Sequence, residues 1–384
     1  MTDIFLFGTL CHAPVLRIVA GRDLAVRPAV LPGACVLRAA ATGWPVLVAW
    51  PDTTAQGLLI SVDDATLARL DAYEACFGYR RSPVRVTIDG TAHDATVYRA
   101  AQAEAEAEAE AEAEADGASH EPWSLADWVR DWGELEALSA TETMRQLDSA
   151  PPHEVAHRVW MIAARAQAMV SARRWQRPGL VGVNPARDAV DLVEHRFPYT
   201  RFFTVEEFAL RHRRFDGALS AEHHRAVFRV ADAVTVLPYD PVRDRILLVE
   251  QLRLGAYAHG DARPWLLEPI AGMIDAGEPP EVAARRETEE EAGLQLGALH
   301  QVARYYPSPG GLAQVLISYV AIADLPDDVT GIAGHEGEGE DILSHLVAWD
   351  LACEMLAAGD MVNAPLVISM QWLQIHRDRL RTSG

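Results

Sequence analysis

Cysteine is scarce in this 384-residue chain, and the four that occur, Cys11, Cys35, Cys76 and Cys353, are scattered without the spacing of a metal-ligand set. They suit a reducing, cytosolic setting and give no disulfide framework. Long apolar runs are missing as well: none approaches the roughly 18 residues of a membrane span. The start, MTDIFLFGTL, lacks the basic head and long apolar stretch of a signal peptide and reads as a strand running into a turn. A cytoplasmic protein with no membrane partner is therefore expected. Positive charge is in short supply too, with 34 Lys and Arg against 55 Asp and Glu and a net charge of −21, which argues against nucleic acid as a partner. Nearly half of the residues are hydrophobic, enough for sizeable cores, and the length suggests two or three domains.

What the chain has in excess is carboxylate. Seven acidic residues sit in the Ala-Glu alternation of residues 101–117, which imitates a strand by its period of two but is built from strong helix formers that bury nothing. It reads as a solvated, semi-rigid linker. A second concentration lies in 272–294, GMIDAGEPPEVAARRETEEEAGL. Pro279 and Pro280 suit a helix start, and Gly293 suits a left-handed end. Glu287, Glu290 and Glu291 stand at i, i+3 and i+4, which puts them on one face about 5–6 Å apart. Like charges so placed repel, and a hard divalent cation with oxygen ligands is the natural remedy. A solvated acidic helix is the plain alternative. Ala284, Thr288 and Ala292 form a neighbouring small-residue stripe able to pack on a sheet.

The spacing resembles a known signature. Gly272, then Glu278, then Arg286-Glu287-Thr288-x-Glu290-Glu291-x-Gly293-Leu294 looks like the Nudix box, with Thr288 where an aliphatic residue is usual. Residues 190–376 are similar to the ADP-ribose pyrophosphatase branch of that family through Glu250-Gln251-Leu252-Arg253, through Trp265 to Gly272, and through Ser308-Pro309-Gly310-Gly311. The fold implied for 190–384 is an α/β/α sandwich on a mixed sheet. Strands are expected at 202–205, 208–210, 228–237, 246–252 and 342–349, and helices at 351–358 and 364–380. By the resemblance, the Ala271 carbonyl and Glu287, Glu290 and Glu291 hold Mg²⁺ (or Mn²⁺), and Arg286 steadies a helix carboxylate. Arg253, Gly310 and Gly311 bind substrate, although Arg253 can equally be a strand-end ion pair. In that branch a glutamate of the Gly-rich loop 331–341 deprotonates the attacking water; Glu338 aligns best and Glu340 second, while the match does not support His335. The strands near 202–210 pair across a homodimer in that branch.

The first hundred residues alternate short apolar runs with Gly and Pro turns, an α+β pattern rich in strand. Strands are expected at 4–7, 34–38, 46–49, 57–62, 84–88 and 95–98, with a helix at 67–75. Phe5-Leu6-Phe7-Gly8-Thr9-Leu10, Gly57 to Ile60, and Leu70-Asp71-Ala72-Tyr73-Glu74 with Tyr79-Arg80 resemble the gamma-glutamylcyclotransferase-like (AIG2-like) fold. Phe7 stands where that family usually has a tyrosine. The resemblance implies that Gly8, Thr9 and Leu10 line a substrate pocket and that Glu74 moves the proton. The alternatives are a surface Glu74 paired with Arg80 or Arg81, and a fold retained as a scaffold. The fusion of the two modules resembles tellurite-resistance-type proteins.

Between them, residues 118–178 read as a helical connector without assigned chemistry. Helices are expected at 135–147 and 153–170, a tryptophan cluster at 123–132, and Arg158, Arg165, Arg173, Arg174 and Arg177 balancing acidic neighbours on exposed faces. The expected domains are thus 1–100, the linker 101–117, the connector 118–178 and 190–384. The expected activity is Mg²⁺-dependent hydrolysis of ADP-ribose to AMP and ribose 5-phosphate. Another nucleoside diphosphate sugar as substrate, and a non-catalytic ADP-ribose sensor, are the alternatives.

Overall fold

In the computed structural model, residues 1–39, 43–100, 121–182, 186–333 and 341–382 are described. They divide into two units, Met1–Ala166 and Gln167–Gly384. No helix among the described residues is long and apolar enough to cross a membrane.

In the first unit, β1 (Thr2–Leu6), β2 (Arg27–Arg38), β3 (Pro45–Val62), β4 (Tyr79–Ile88) and β5 (Thr91–Ala100) close a barrel in the order β1-β3-β2-β4-β5. Closure comes from a short parallel pairing of β1 with β5, Ile4 to Thr96 and Phe5 to Val97. Strand alternation sorts the side chains. Phe5, Leu59, Val86 and Val97 fill the barrel. Ile4, Leu6, Ile60 and Val62 face the helices α1 (Ala13–Ala20), α2 (Asp64–Ala75) and α3 (Leu125–Leu147). A Cβ on Gly57 would lie 2.2 Å from the Leu6 carbonyl oxygen and 2.6 Å from the Phe5 ring, so only glycine lets β3 pass under β1 there.

Several elements differ from expectation for physical reasons. The strands expected at 46–49 and 57–62 are one strand, β3, because both flanks pair with β2 and Pro51-Asp52 form a bulge with Asp52 at φ 63°. Helix α3 begins ten residues early, at Leu125, where the Ser124 hydroxyl caps it by accepting from the Asp127 N–H. The helix expected at 153–170 is two, α4 (Pro152–Ala156) and α5 (Val159–Arg174), and the boundary between the units falls within α5. Arg165 is not on an exposed face: it is fully buried and ion-paired to Glu142 of α3, since a charge inside the helical layer persists only when paired.

The second unit holds two sheets. The larger runs β13 (Leu299–Tyr305), β15 (Leu316–Ile322), β9 (Ala233–Asp240), β10 (Arg245–Leu252), β17 (Ile342–Ala348), β16 (Ile332–Ala333), with β11 (Trp265–Glu268) on β10 and β12 (Ile270–Met273) on β9. It is mixed, since β15 and β9 are parallel while the β9–β12 and β10–β17 pairs are antiparallel. Val234, Val236, Leu247 and Val249 bury one face beneath α7 (Pro280–Ala292). Leu237, Tyr239, Ile246 and Leu248 bury the other beneath α8 (Trp349–Ala358) and α9 (Ala364–Thr382). The result is an α/β/α sandwich. The smaller sheet, β14 (Leu312–Ala313), β8 (His223–Arg229), β7 (Thr204–His212), β6 (Val190–Thr200), exposes Val190, Leu192, Val193 and Tyr199. The strand expected over 228–237 is broken at residues 230–232, where the chain passes from one sheet to the other.

Candidate active site

Helix α7 starts as its prolines require, with Pro279 as N-cap and Pro280 at the first helical position, and ends at Gly293 with φ 62°. Ala283, Ala284, Thr288 and Glu291 are its buried residues. The Thr288 hydroxyl donates to the Ala284 carbonyl at 2.7 Å, which satisfies it and leaves the methyl for the core. Helix α7 lies against β12 and β9, and alongside the short strand β16.

Two features organise its carboxylates. The first is a notch. A Cβ on Gly272 would lie 1.8 Å from the carboxylate carbon of Glu287, so the acid group occupies the space a side chain on β12 would take, one residue beyond Ala271. The second is Arg286. Its guanidinium donates to both oxygens of Glu278 at 3.0 and 2.9 Å, to Glu287 at 2.8 Å, to Glu290 at 3.1 Å and to the Met273 carbonyl at 3.0 Å. One cation thus offsets the repulsion along the helix and ties it to the preceding loop. Glu281 accepts from the Tyr319 hydroxyl at 3.3 Å, and Glu289 is exposed. Glu291 is only 2% exposed.

Among the described residues, no three acidic, histidine or cysteine side chains converge on one point. The donors that β12 and α7 offer are nonetheless all hard oxygens, from the Ala271 carbonyl, Glu287, Glu290 and Glu291, and the Gly272 notch admits a carboxylate close to the strand. That set fits Mg²⁺ or Mn²⁺ completing its shell with water and substrate oxygens, and not a softer metal.

Arg253 caps α6 (Leu254–His259) and pairs with the buried Glu268 of β11, whose other oxygen accepts from Asn363 at 2.6 Å. The guanidinium is therefore held in one place while staying partly exposed. Gly310 and Gly311 are exposed in a turn whose Gly311 carbonyl accepts from the Phe228 N–H at 2.8 Å. Glu338 and Glu340, like His335, lie outside the described residues; the residues just before them form β16, the strand beside α7.

The roles of some polar residues emerge only in the structure. Glu278 was visible as a spacing element, but not as the bidentate partner of Arg286. Asp232, at the break between β8 and β9, is buried, accepts from the Val315 N–H at 2.9 Å, and has its carboxyl pushed up to about 6 by burial. Its place inside an apolar run, Val230-Ala231-Asp232-Ala233-Val234, was the available clue.

The first unit has a site of its own. Gly8, Thr9 and Leu10, the last two in a 3-10 turn after β1, line a pocket of about 410 Å³ together with Glu74 of α2. The remaining wall is largely aromatic and includes Phe5, Phe7, Trp44, Phe77, Tyr79 and Tyr98. Arg81 is bonded to Asp71 at 2.8 Å, and Asp71 also accepts from the Tyr98 hydroxyl, so Arg81 serves Asp71 and not Glu74. Burial, reinforced by the nearby Glu136, pushes the Glu74 carboxyl up to about 8.

Comparison with known proteins agrees with this division. Residues 4–125 match the family described as Gamma-glutamyl cyclotransferase, AIG2-like, and residues 229–365 match the NUDIX domain. An ADP-ribose pyrophosphatase of Escherichia coli (strain K12) is 38% identical over 205 residues, which is 53% of this chain and 97% of that protein. One from Haemophilus influenzae is 36% identical over 196 residues, 50% of this chain and 90% of that protein. A GDP-mannose pyrophosphatase of Escherichia coli O1:K1 / APEC is 28% identical over 186 residues, 48% of this chain and 95% of that protein.

Proposed function

The chain belongs to the Nudix hydrolases, which act on pyrophosphate bonds, and we propose that its substrate is ADP-ribose, cut with water to AMP and ribose 5-phosphate. The observation that carries the substrate is the 38% identity to ADP-ribose pyrophosphatase across 97% of that protein, against 28% to the GDP-mannose enzyme. Ala271, Glu287, Glu290 and Glu291 would hold the divalent metal. When bound, the metal neutralises the diphosphate and lowers the pKa of a water. Arg286 keeps Glu287 against the Gly272 notch and separates it from Glu290. Arg253, braced by Glu268, holds a substrate phosphate by charge-assisted hydrogen bonds, and the turn at Gly310 and Gly311 forms part of the substrate surface. Glu338, with Glu340 as the alternative, takes the proton of the attacking water.

The reading includes a homodimer through β6 and β7, supported by the apolar side chains that β6 exposes, and a cytoplasmic location, supported by four free cysteines. Product release from ADP-ribose, ADP-glucose and GDP-mannose with Mg²⁺ tests the substrate. Faster turnover of either competitor sinks the ADP-ribose assignment. Unchanged turnover in Glu291→Gln sinks the metal assignment.

For the first unit we propose gamma-glutamylcyclotransferase chemistry in preference to a scaffold role, on the strength of a raised Glu74 carboxyl set in the wall of a pocket. The amine nitrogen of a gamma-glutamyl group bonds to its own side-chain carbonyl carbon, the amide C–N bond breaks, and Glu74 passes the proton from the attacking to the departing nitrogen. Release of 5-oxoproline that vanishes in Glu74→Gln is expected. No release from any gamma-glutamyl amine tested would return the unit to a scaffold.

A further inference from the structure

Helix α3 packs on the barrel through a stripe at helical spacing, Gly133, Glu136, Ala137, Ala140 and Met144. Glu136 is the exception in that stripe. It is 5% exposed, and it lies beyond residues 4–125, the segment that matches the cyclotransferase family. A buried carboxylate normally has a cation as partner. Among the described residues Glu136 has instead one hydroxyl, Tyr73, donating at 2.8 Å, and it faces the pocket that holds Glu74.

No Arg or His is among the described residues that line this pocket, and the chain contains no lysine. The other titratable groups in the wall stay neutral near pH 7: Tyr73, Tyr79 and Tyr98 are pushed up by burial, and the Cys76 thiol is pushed up to about 11. His12, which meets α3 at Gly133, is kept neutral by burial. The described residues of the wall therefore offer two carboxyl groups, several aromatic faces and no positive charge. Aromatic faces and a carboxylate together are the chemistry that recognises an ammonium.

The geometry points to Glu136 as the counter-ion for a ligand that enters this pocket through a primary ammonium group. Tyr73 orients the carboxylate, and Trp44, Phe77 and Tyr79 sheath the ligand's apolar stem. This role goes beyond the proton transfer assigned to Glu74 and does not depend on turnover. Burial raises both the Glu74 and the Glu136 carboxyl, and an entering ammonium lowers them again, so binding releases protons.

The test uses the whole chain, with n-butylammonium and the uncharged 1-pentanol as probes. Affinity is read by NMR titration, and proton release by calorimetry in buffers of differing ionisation enthalpy. Expected is tighter binding of butylammonium than of 1-pentanol, proton release with the amine alone, and an affinity loss of about tenfold or more for the amine in Glu136→Gln. Binding of 1-pentanol should be unchanged in that variant, which shows that the pocket survives. Should Glu136→Gln fail to fold, Glu136→Asp keeps the charge, and the preference for the amine must persist in it. Equal binding of the two probes, no binding of the amine, or an unchanged amine affinity in Glu136→Gln overturns the inference. Loss of 5-oxoproline release alone would overturn only the cyclotransferase reading.

Discussion

Replacing Arg286 with alanine removes the cation that holds four groups at once. Its partners Glu278 and Glu287 are only 12% and 14% exposed, so both carboxylates would lose the Arg286 charge in a partly dry site. Stripping one partner from a buried ion pair costs about 3–5 kcal/mol. Arg286 itself is 31% exposed, and water recovers part of the loss, so about 2 kcal/mol is expected. For a unit of this size that lowers Tm by roughly 4–8 °C. Glu287 would also lose its tether at the Gly272 notch, and kcat/KM for ADP-ribose should fall by roughly 10–100-fold, the usual effect of losing the partner that orients a metal-binding side chain. Millimolar Mg²⁺ should raise the Tm of Arg286→Ala more than that of the parent, because the bound cation does part of what Arg286 did. Calorimetric unfolding with Mg²⁺ or with a chelator, alongside steady-state kinetics, measures all three. A Tm within about 1 °C of the parent, with kcat/KM within about twofold, would refute the account of Arg286 as the hub of the acidic helix.

Gly272→Ala puts a methyl where the Glu287 carboxylate lies, and kcat/KM should drop about tenfold or more while far-UV circular dichroism stays unchanged. Glu74 titrates near 8 in the folded chain against an ordinary 4.5, so the folded state binds this proton more tightly than the unfolded chain. Its contribution favours folding below about pH 4.5 and is lost as pH rises through about 8, and Glu136 acts with the same sign. Urea unfolding of the first unit across that range should show a falling stability that Glu74→Gln flattens; an unchanged slope contradicts the burial of that carboxyl. Leu192, 53% exposed on β6, is expected at the dimer contact, and sedimentation of Leu192→Asp should give a monomer from a dimeric parent.

Legibility in the sequence followed local rules. The acidic helix could be placed to the residue because prolines and a glycine bracket it and its carboxylates repeat at helical spacing. Core strands such as β10, at Arg245–Leu252, read clearly because they are apolar runs bounded by turn residues. Strand β6 was not legible: Asp191, Glu194, His195 and Arg196 interrupt it, and as an edge strand it buries little. Helix α1 was missed because its Val15, Ile18 and Val19 favour strands, and packing on α2 and α3 decides otherwise. The bulge in β3 was read as a break, since Pro51 and Asp52 are turn residues and only the shared partner strand makes the two halves one.

The sequence by itself carried the resemblance to two modules and placed the acidic helix, whose carboxylate spacing and proline and glycine ends need no tertiary context. Which groups touch was decided by the tertiary structure alone. It bound Arg286 to Glu278 across the loop before the helix, set Glu287 into the space left by Gly272, paired Arg253 with Glu268, and brought Glu136 from a helix read as mere connector into the pocket of Glu74. Those pairings join residues distant in sequence or on different elements, and burial is what gives them their energy. A carboxylate in water is unremarked chemistry; the same carboxylate, stripped of water and given one hydroxyl, is what the proposed ammonium site rests on.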